Sequence, residues 1–189
     1  MKTTLLIPLL ILATLLTPMT GSANPRGQIV AIDNSVFVAM VDPSIEDCIS
    51  TQERDNWCWA ACIQMILRYN GIRRQQSEIV AHVYGASYDW TASGNEIAGA
   101  FDGWNGFTVR SFQSKRAQSF INETASGHPL VVGFAEHAYL LTHIYYKKTS
   151  NGALTPFKVI MVNPSTGKEE SLDWNEFFAS LNTIVSFYR

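Results

Sequence analysis

The stretch QERDNWCWAACIQMILRYNG, residues 52–71, sets two cysteines four residues apart between a polar loop and an apolar run. Trp59, Cys62, Ile63 and Ile66 recur at helical spacing, so the sequence predicts a helix with one buried face starting near Cys58. Asp55 or Asn56 is the predicted cap, and Asn70-Gly71 the predicted stop. Cys58 thus falls on the first turn. There the unpaired amides and the helix dipole favour a thiolate.

Upstream, residues 1–23 carry a lysine at position 2, an apolar run over residues 5–16 and the small residues Gly21-Ser22-Ala23. That is the layout of a secretory signal peptide cleaved after Ala23. The run holds Pro8 and is short of the ~20 apolar residues of a membrane span. Export to a periplasm or the medium is expected, with residues 24–189 as one domain and no span in the mature form. Without Lys2 that domain has 13 basic and 16 acidic residues, a net charge of −3. The charges are scattered, and the basic stripe of a nucleic-acid binder is missing.

Downstream, SEIVAHVYG (77–85), SGNEIAGAFDGW (93–104) and SKRAQSFINETASG (114–127) read as helices, with a strand at FTVRSF (107–112). Ser77 is the predicted cap of the first and Gly85 its stop. Residues 129–134, 137–146, 157–162 and 183–189 are rich in β-branched and aromatic residues, separated by turn signals such as TSNG and NPSTG. SLDWNEFFASL adds a helix capped by Ser171 or Asp173. Helices followed by mostly antiparallel strands predict an α+β domain of two halves with a ligand cleft between them.

Three cysteines suit a metal site, a disulfide or a nucleophile. No CxxC or HxxxH pair accompanies Cys58 and Cys62, and the histidines stand alone at 82, 128, 137 and 143, so no metal is expected. In an exported chain the odd count favours one bridge and one free thiol. Cys58 with Cys62, one helical turn apart, makes a strained pair. Cys48 with Cys62 staples the entering loop to the helix and leaves Cys58 free. The competing expectation is three reduced cysteines that only pack. Gln52, six residues before Cys58, carries an amide able to donate to an oxyanion beside the Cys58 N–H.

The pattern Q-x5-C-W-A (Gln52, Cys58, Trp59, Ala60) resembles the active-site segment of papain-like cysteine peptidases. The fuller string NWCWAACIQMILRYNG is similar to compact bacterial members, the plant-pathogen effector peptidases and double-glycine leader peptidases. The resemblance implies a two-lobed fold, with a central catalytic helix in an N-terminal helical half and a mostly antiparallel C-terminal β half. It implies Cys58 as nucleophile, Gln52 in the oxyanion hole, and a histidine opening a strand. His137, before AYLLTHIYY, fits that place; His128 precedes a proline, His82 falls within a helix, and His143 stands where the family commonly has glycine. Asn163, at the end of FKVIMVN, is the implied partner of the imidazole, with Asp173 as substitute.

The expected function is hydrolysis of peptide bonds by an exported, monomeric cysteine peptidase with a Cys-His-Asn triad and no cofactor. Its partner is a peptide or protein substrate. The alternatives are an inactive peptidase fold that binds through its cleft, and the same chemistry on a non-protein amide such as peptidoglycan. A resting thiolate–imidazolium pair between Cys58 and His137 is expected.

Overall fold

The computed structural model describes residues 27–104, 106–111 and 116–188. The predicted leader, residues 1–23, lies outside the described residues. The helix foreseen from residue 58 is α1, Cys58–Tyr69, and it is buried on every side: only Arg68 of its twelve residues is exposed. Ile63, Met65, Ile66 and Leu67 are wholly buried, each contributing about 1.5–3 kcal/mol by leaving water. Two bonds close the helix, Gly71 N–H to Arg68 O (2.8 Å) and Ile72 N–H to Leu67 O (2.8 Å). Gly71 takes the left-handed φ of 77° that such an ending requires.

One polar residue, Gln64, is buried mid-helix, and both polar atoms of its amide are hydrogen-bonded. Its Oε1 accepts from Ser50 Oγ (2.8 Å) and Gln76 Nε2 (3.1 Å), and its Nε2 donates to Arg74 O (2.8 Å). Gln76 in turn donates to Thr51 O (2.8 Å) and accepts from Glu53 N–H (2.9 Å). These two glutamines hold the loop on either side of Gln52 against α1. Gln76 opens α2, Gln76–Tyr84, whose cap is Gln75 in a reciprocal box with Glu78 rather than the predicted Ser77; Gly85 ends it as expected. A shorter α3, Gly94–Gly99, is capped by Ser93.

The strands are β1 Gly27–Ala31, β2 Val36–Val41, β3 Thr108–Ser111, β4 Leu130–Phe134, β5 His137–Lys148, β6 Leu154–Asn163, β7 Lys168–Asp173 and β8 Leu181–Tyr188. They form one antiparallel sheet around β5. On one edge of β5 lies β6, from Leu140↔Val162 to Lys148↔Leu154. On the other, β4 pairs with its first half and β2 with its second. Outward, β8 follows β4 and β3 follows β8, while β1 flanks β2 and β7 flanks β6.

Helices cover both faces. Val131, Leu140, Val185 and Phe187 point into the core around α1, α2 and α3. Their neighbours Leu130, Val132, Leu141 and Ile184 pack with α4, Ala117–Ala125, and α5, Trp174–Ser180. Covered on both sides, β4 reads as an unbroken apolar run. The β1–β2 hairpin and β7 are additions to the helices-then-strands order read from the sequence. The fold is α+β.

Where β8 begins, it closes tightly on β4. A Cβ at Gly133 would meet Asn182 Oδ1 at 2.7 Å and Thr183 Cβ at 2.9 Å, beside an irregularity in the β4–β8 ladder. Gly133→Ala is expected to cost about 1–3 kcal/mol through overpacking, read as a lower urea midpoint. An unchanged midpoint would mean that the strands are not this close.

Candidate active site

Cys58 is the first residue of α1, and no side chain caps that helix. The predicted caps are not used: the cap position is Trp57, and Asn56 is drawn away by Asp89. Asn56 N–H donates to Asp89 Oδ1 (3.0 Å) and its Nδ2 to Asp89 O (3.1 Å). First-turn N–H groups are therefore left for Cys58 Sγ. The thiol sulfur is reached by the N–H groups of Trp59, of Cys58 itself and, at 3.4 Å, of Ala138. These lower its pKa, but burial outweighs them and pushes the thiol above its ordinary value.

Ala138 follows His137, the first residue of β5. The link from β4 is only Ala135-Glu136, and both sit at left-handed φ, 49° and 60°. A two-residue hairpin turn of that hand suits strand twist, yet non-glycine residues pay roughly 1–2 kcal/mol each for it. The turn delivers His137 to the cleft that Cys58 lines, about 600 Å³ in volume.

His137 Nε2 lies 3.1 Å from Asn163 Oδ1, at the end of β6. Asn163 is held from two more directions, by Ser165 N–H donating to its Oδ1 (2.8 Å) and by its own Nδ2 donating to Glu170 Oε1 (2.7 Å). Ser165 Oγ stands 3.3 Å from His137 Nε2 and donates to Gln52 Oε1 (3.0 Å). Gln52 N–H donates to Pro164 O (2.8 Å), tying its loop to the turn that follows Asn163. The Gln52 Nε2 protons go to Arg54 O (2.9 Å) and Asp55 O (2.8 Å) within that loop.

Gln52, Cys58, His137 and Asn163 thus come together from four separate segments. Ser165 and Glu170 join them unforeseen. Ser165 had a faint local signal, since an asparagine two residues ahead forms an Asx turn. Glu170 had none: it faces Asn163 only because β6–β7 register pairs Asn163 with Lys168 and sets Glu170 on the diagonal.

Other candidates lie elsewhere. Asp173 caps α5, accepting from Asn175 N–H (2.8 Å) and Glu176 N–H (3.4 Å), which occupies the carboxylate away from His137. The expected Cys48–Cys62 bridge is not formed, as all three cysteines are free thiols. Cys48 Sγ turns back to Ser44 O (3.5 Å) in the 3₁₀ turn Pro43–Cys48, and Cys62 is sealed inside α1. His82 Nε2 meets Asp102 O (2.6 Å), and His128 Nδ1 meets Glu123 Oε2 (2.9 Å). His143 contacts Thr142 Oγ1 (2.9 Å), and burial pulls its pKa down. Among the described residues no cluster could hold a metal, and no helix is long and apolar enough to cross a membrane. A second hollow, about 610 Å³, lies beside Cys48, Arg68 and Arg73 and has no histidine in its lining.

The family described as "Papain-like cysteine protease AvrRpt2" matches residues 42–182. Among solved structures, the peptidase domain of Streptococcus ComA, described as a bifunctional ABC transporter involved in a quorum-sensing pathway, superposes with a TM-score of 0.51. The two are 13% identical, over 74% of this chain and 94% of that chain, so the likeness is one of fold. No curated protein sequence matches the chain.

The hydrogen bonds around Asn163 set one tautomer. Glu170 and Ser165 N–H together fix Oδ1 toward His137, so the neutral imidazole carries its proton on Nε2 and leaves Nδ1 bare. Where the ring is neutral, ¹⁵N NMR of His137 is expected to show this form, and Glu170→Gln, which can also donate, to admit the other. A neutral wild-type ring protonated on Nδ1 and bare on Nε2 would contradict the network.

Proposed function

The chain belongs to the AvrRpt2 family of papain-like cysteine proteases, and from that membership we propose that its peptide-bond hydrolysis runs through Cys58, His137 and Asn163. The observation that carries this is Cys58 at the uncapped start of α1, sharing a cleft with a histidine whose Nε2 is bound by Asn163. In the proposed sequence the Cys58 thiolate attacks the scissile carbonyl carbon, and the tetrahedral oxyanion forms. His137 gives its proton to the leaving amine, which departs and leaves a thioester. Water, deprotonated by His137, then attacks the thioester and restores the thiol, releasing the acid. Asn163, itself held by Glu170 and Ser165, keeps the imidazole in place as its charge changes.

Gln52 is the proposed side-chain donor to the oxyanion. To serve, its Nε2 exchanges one of its two loop carbonyls for the substrate oxygen. Ser165, bound to Gln52 Oε1, keeps the other end of the amide pointed away. Residues 1–23 are the proposed export signal, which puts the enzyme in a periplasm or outside the cell. Mass spectrometry of a peptide library incubated with wild type and with Cys58→Ala tests the activity. Wild type is expected to cleave at preferred sequences and the variant not at all. Cleavage that persists in the variant would remove Cys58 from the mechanism.

The charge state follows from opposing effects. Burial raises the Cys58 thiol more than its N–H partners lower it, and a protonated His137 in the same cleft would lower it further. The proposed resting state is the thiolate–imidazolium pair, whose titration belongs to both groups. Alkylation of wild-type Cys58 by iodoacetamide is therefore expected to be under way at acidic pH. In His137→Ala the imidazolium is gone and burial outweighs the remaining N–H groups, so alkylation is expected to begin only above the ordinary thiol range, near ~8.5. Identical profiles in the two proteins would rule the pair out.

A further inference from the structure

A hollow of about 610 Å³ lies toward the end of α1 away from Cys58, and it shares no lining residue with the catalytic cleft. Arg68, in the last turn of α1, stands ten residues from the nucleophile, about 15 Å along the helix. Arg73 and Arg74 join it, so three guanidinium groups line one concavity. Arginines scattered over a surface are simply solvated, but three gathered at one hollow repel one another. Two carboxylates, Asp47 and Glu78, line it as well. Three cations against two anions leave the hollow positive in a chain whose net charge is −2.

The carboxylates do not pair with the arginines: among the described residues none of the three guanidinium groups is in an ion pair. Glu78 Oε2 accepts from Gln75 N–H (2.6 Å), which commits it to the start of α2. Arg74 is held in place from two sides. Its guanidinium lies over the Trp104 ring (4.7 Å), and its Nη1 donates to Arg73 O (3.3 Å). The backbone beneath is fixed too, since Arg74 O accepts from the buried Gln64 Nε2 (2.8 Å). Arg68 is the one exposed residue of α1. Burial raises the Cys48 thiol, Asp47 adds to this and Arg68 opposes both, which brings that guanidinium close to the Cys48 wall.

We propose that this hollow binds a small phosphate monoester, with the phosphate held among Arg68, Arg73 and Arg74 and the organic part filling the remaining volume. A carboxylate offers two oxygens and suits a single guanidinium fork. A phosphate monoester brings three acceptor oxygens and a charge near −2, enough to engage three forks at once. Arginine's rigid fork also loses less freedom per hydrogen bond than a lysine would, and Arg74 is already ordered by its ring contact. The hollow is larger than a bare phosphate and falls within the ~300–1,000 Å³ of small-molecule sites. Asp47 adds an acceptor to the wall, which favours an organic part with hydroxyl or ammonium donors. The site is separate from the peptidase chemistry and stands without it.

Isothermal titration calorimetry at constant ionic strength tests this with glycerol 3-phosphate, glucose 6-phosphate, phosphoethanolamine, inorganic phosphate and acetate. At least one ester is expected to bind one to one, more tightly than inorganic phosphate and roughly tenfold or more tighter than acetate. Arg68→Gln and Arg73→Gln are each expected to weaken that ester by roughly tenfold, with the urea midpoint unchanged because both side chains are exposed. Lys147→Gln, outside the hollow, and Cys58→Ala, in the catalytic cleft, are expected to leave the affinity as it is. Affinity kept in both arginine variants, or lost equally in Lys147→Gln or Cys58→Ala, overturns the assignment. So does acetate binding as tightly as the esters, or no ester binding more tightly than inorganic phosphate. Sedimentation with vesicles containing phosphatidic acid, without binding of any soluble ester, would place the phosphate in a lipid surface and overturn the small-molecule site.

Discussion

A helix that begins inside a protein must find acceptors for its first N–H groups, and α1 begins without a capping side chain. With Asn56 committed to Asp89, Cys58 Sγ becomes an acceptor for these groups, joined by Ala138 N–H from β5. The unmet hydrogen bonds of one helix end thereby define where a negatively charged sulfur would be welcome. The same burial that creates this need also opposes the charge.

Around the imidazole the structure is organised so that few polar atoms are left to choose their own orientation. Glu170 can only accept when ionised, so it settles the direction of the Asn163 amide. That direction sets which nitrogen of a neutral His137 ring bears the proton. Ser165 then links the histidine to Gln52, and Pro164 O holds the Gln52 backbone. The turn after β6 acts as a hub joining parts of the chain more than a hundred residues apart.

Some of this arrangement is costly. Ala135 and Glu136 occupy conformations better suited to glycine or asparagine, and the turn they form is what makes His137 the first residue of β5. Tyr88 and Trp90 remain half exposed although a few ångströms away their relatives Trp57 and Trp59 are almost wholly buried. The strained turn lies at the cleft, and the sheet and α1 beneath it supply the stability that tolerates it.

The features legible in the residues alone were those decided within a few positions along the chain. Cys58 opening α1, Gly71 and Gly85 ending helices, Asp173 capping α5, and His137 and Asn163 at strand ends all follow from local spacing and turn chemistry. The β1–β2 hairpin was not legible, because β2 is defined by pairing with residues 143–147, far along the chain. Nor was β7: KEESLD is polar and becomes a strand as the charged edge of β6. Likewise, Asp55 and Asn56 looked like caps until Asp89 was found beside Asn56, and Cys48 looked like a bridge partner until its thiol was found turned back to Ser44. The place of Glu170 beside Asn163 and the position of residues 88–90 depend on register and on bonds from the indoles of Trp57 and Trp59 to Tyr88 O and Trp90 O. Local backbone preference is written in neighbouring residues. Which side chain meets which across the fold is decided only when strands are paired and helices packed.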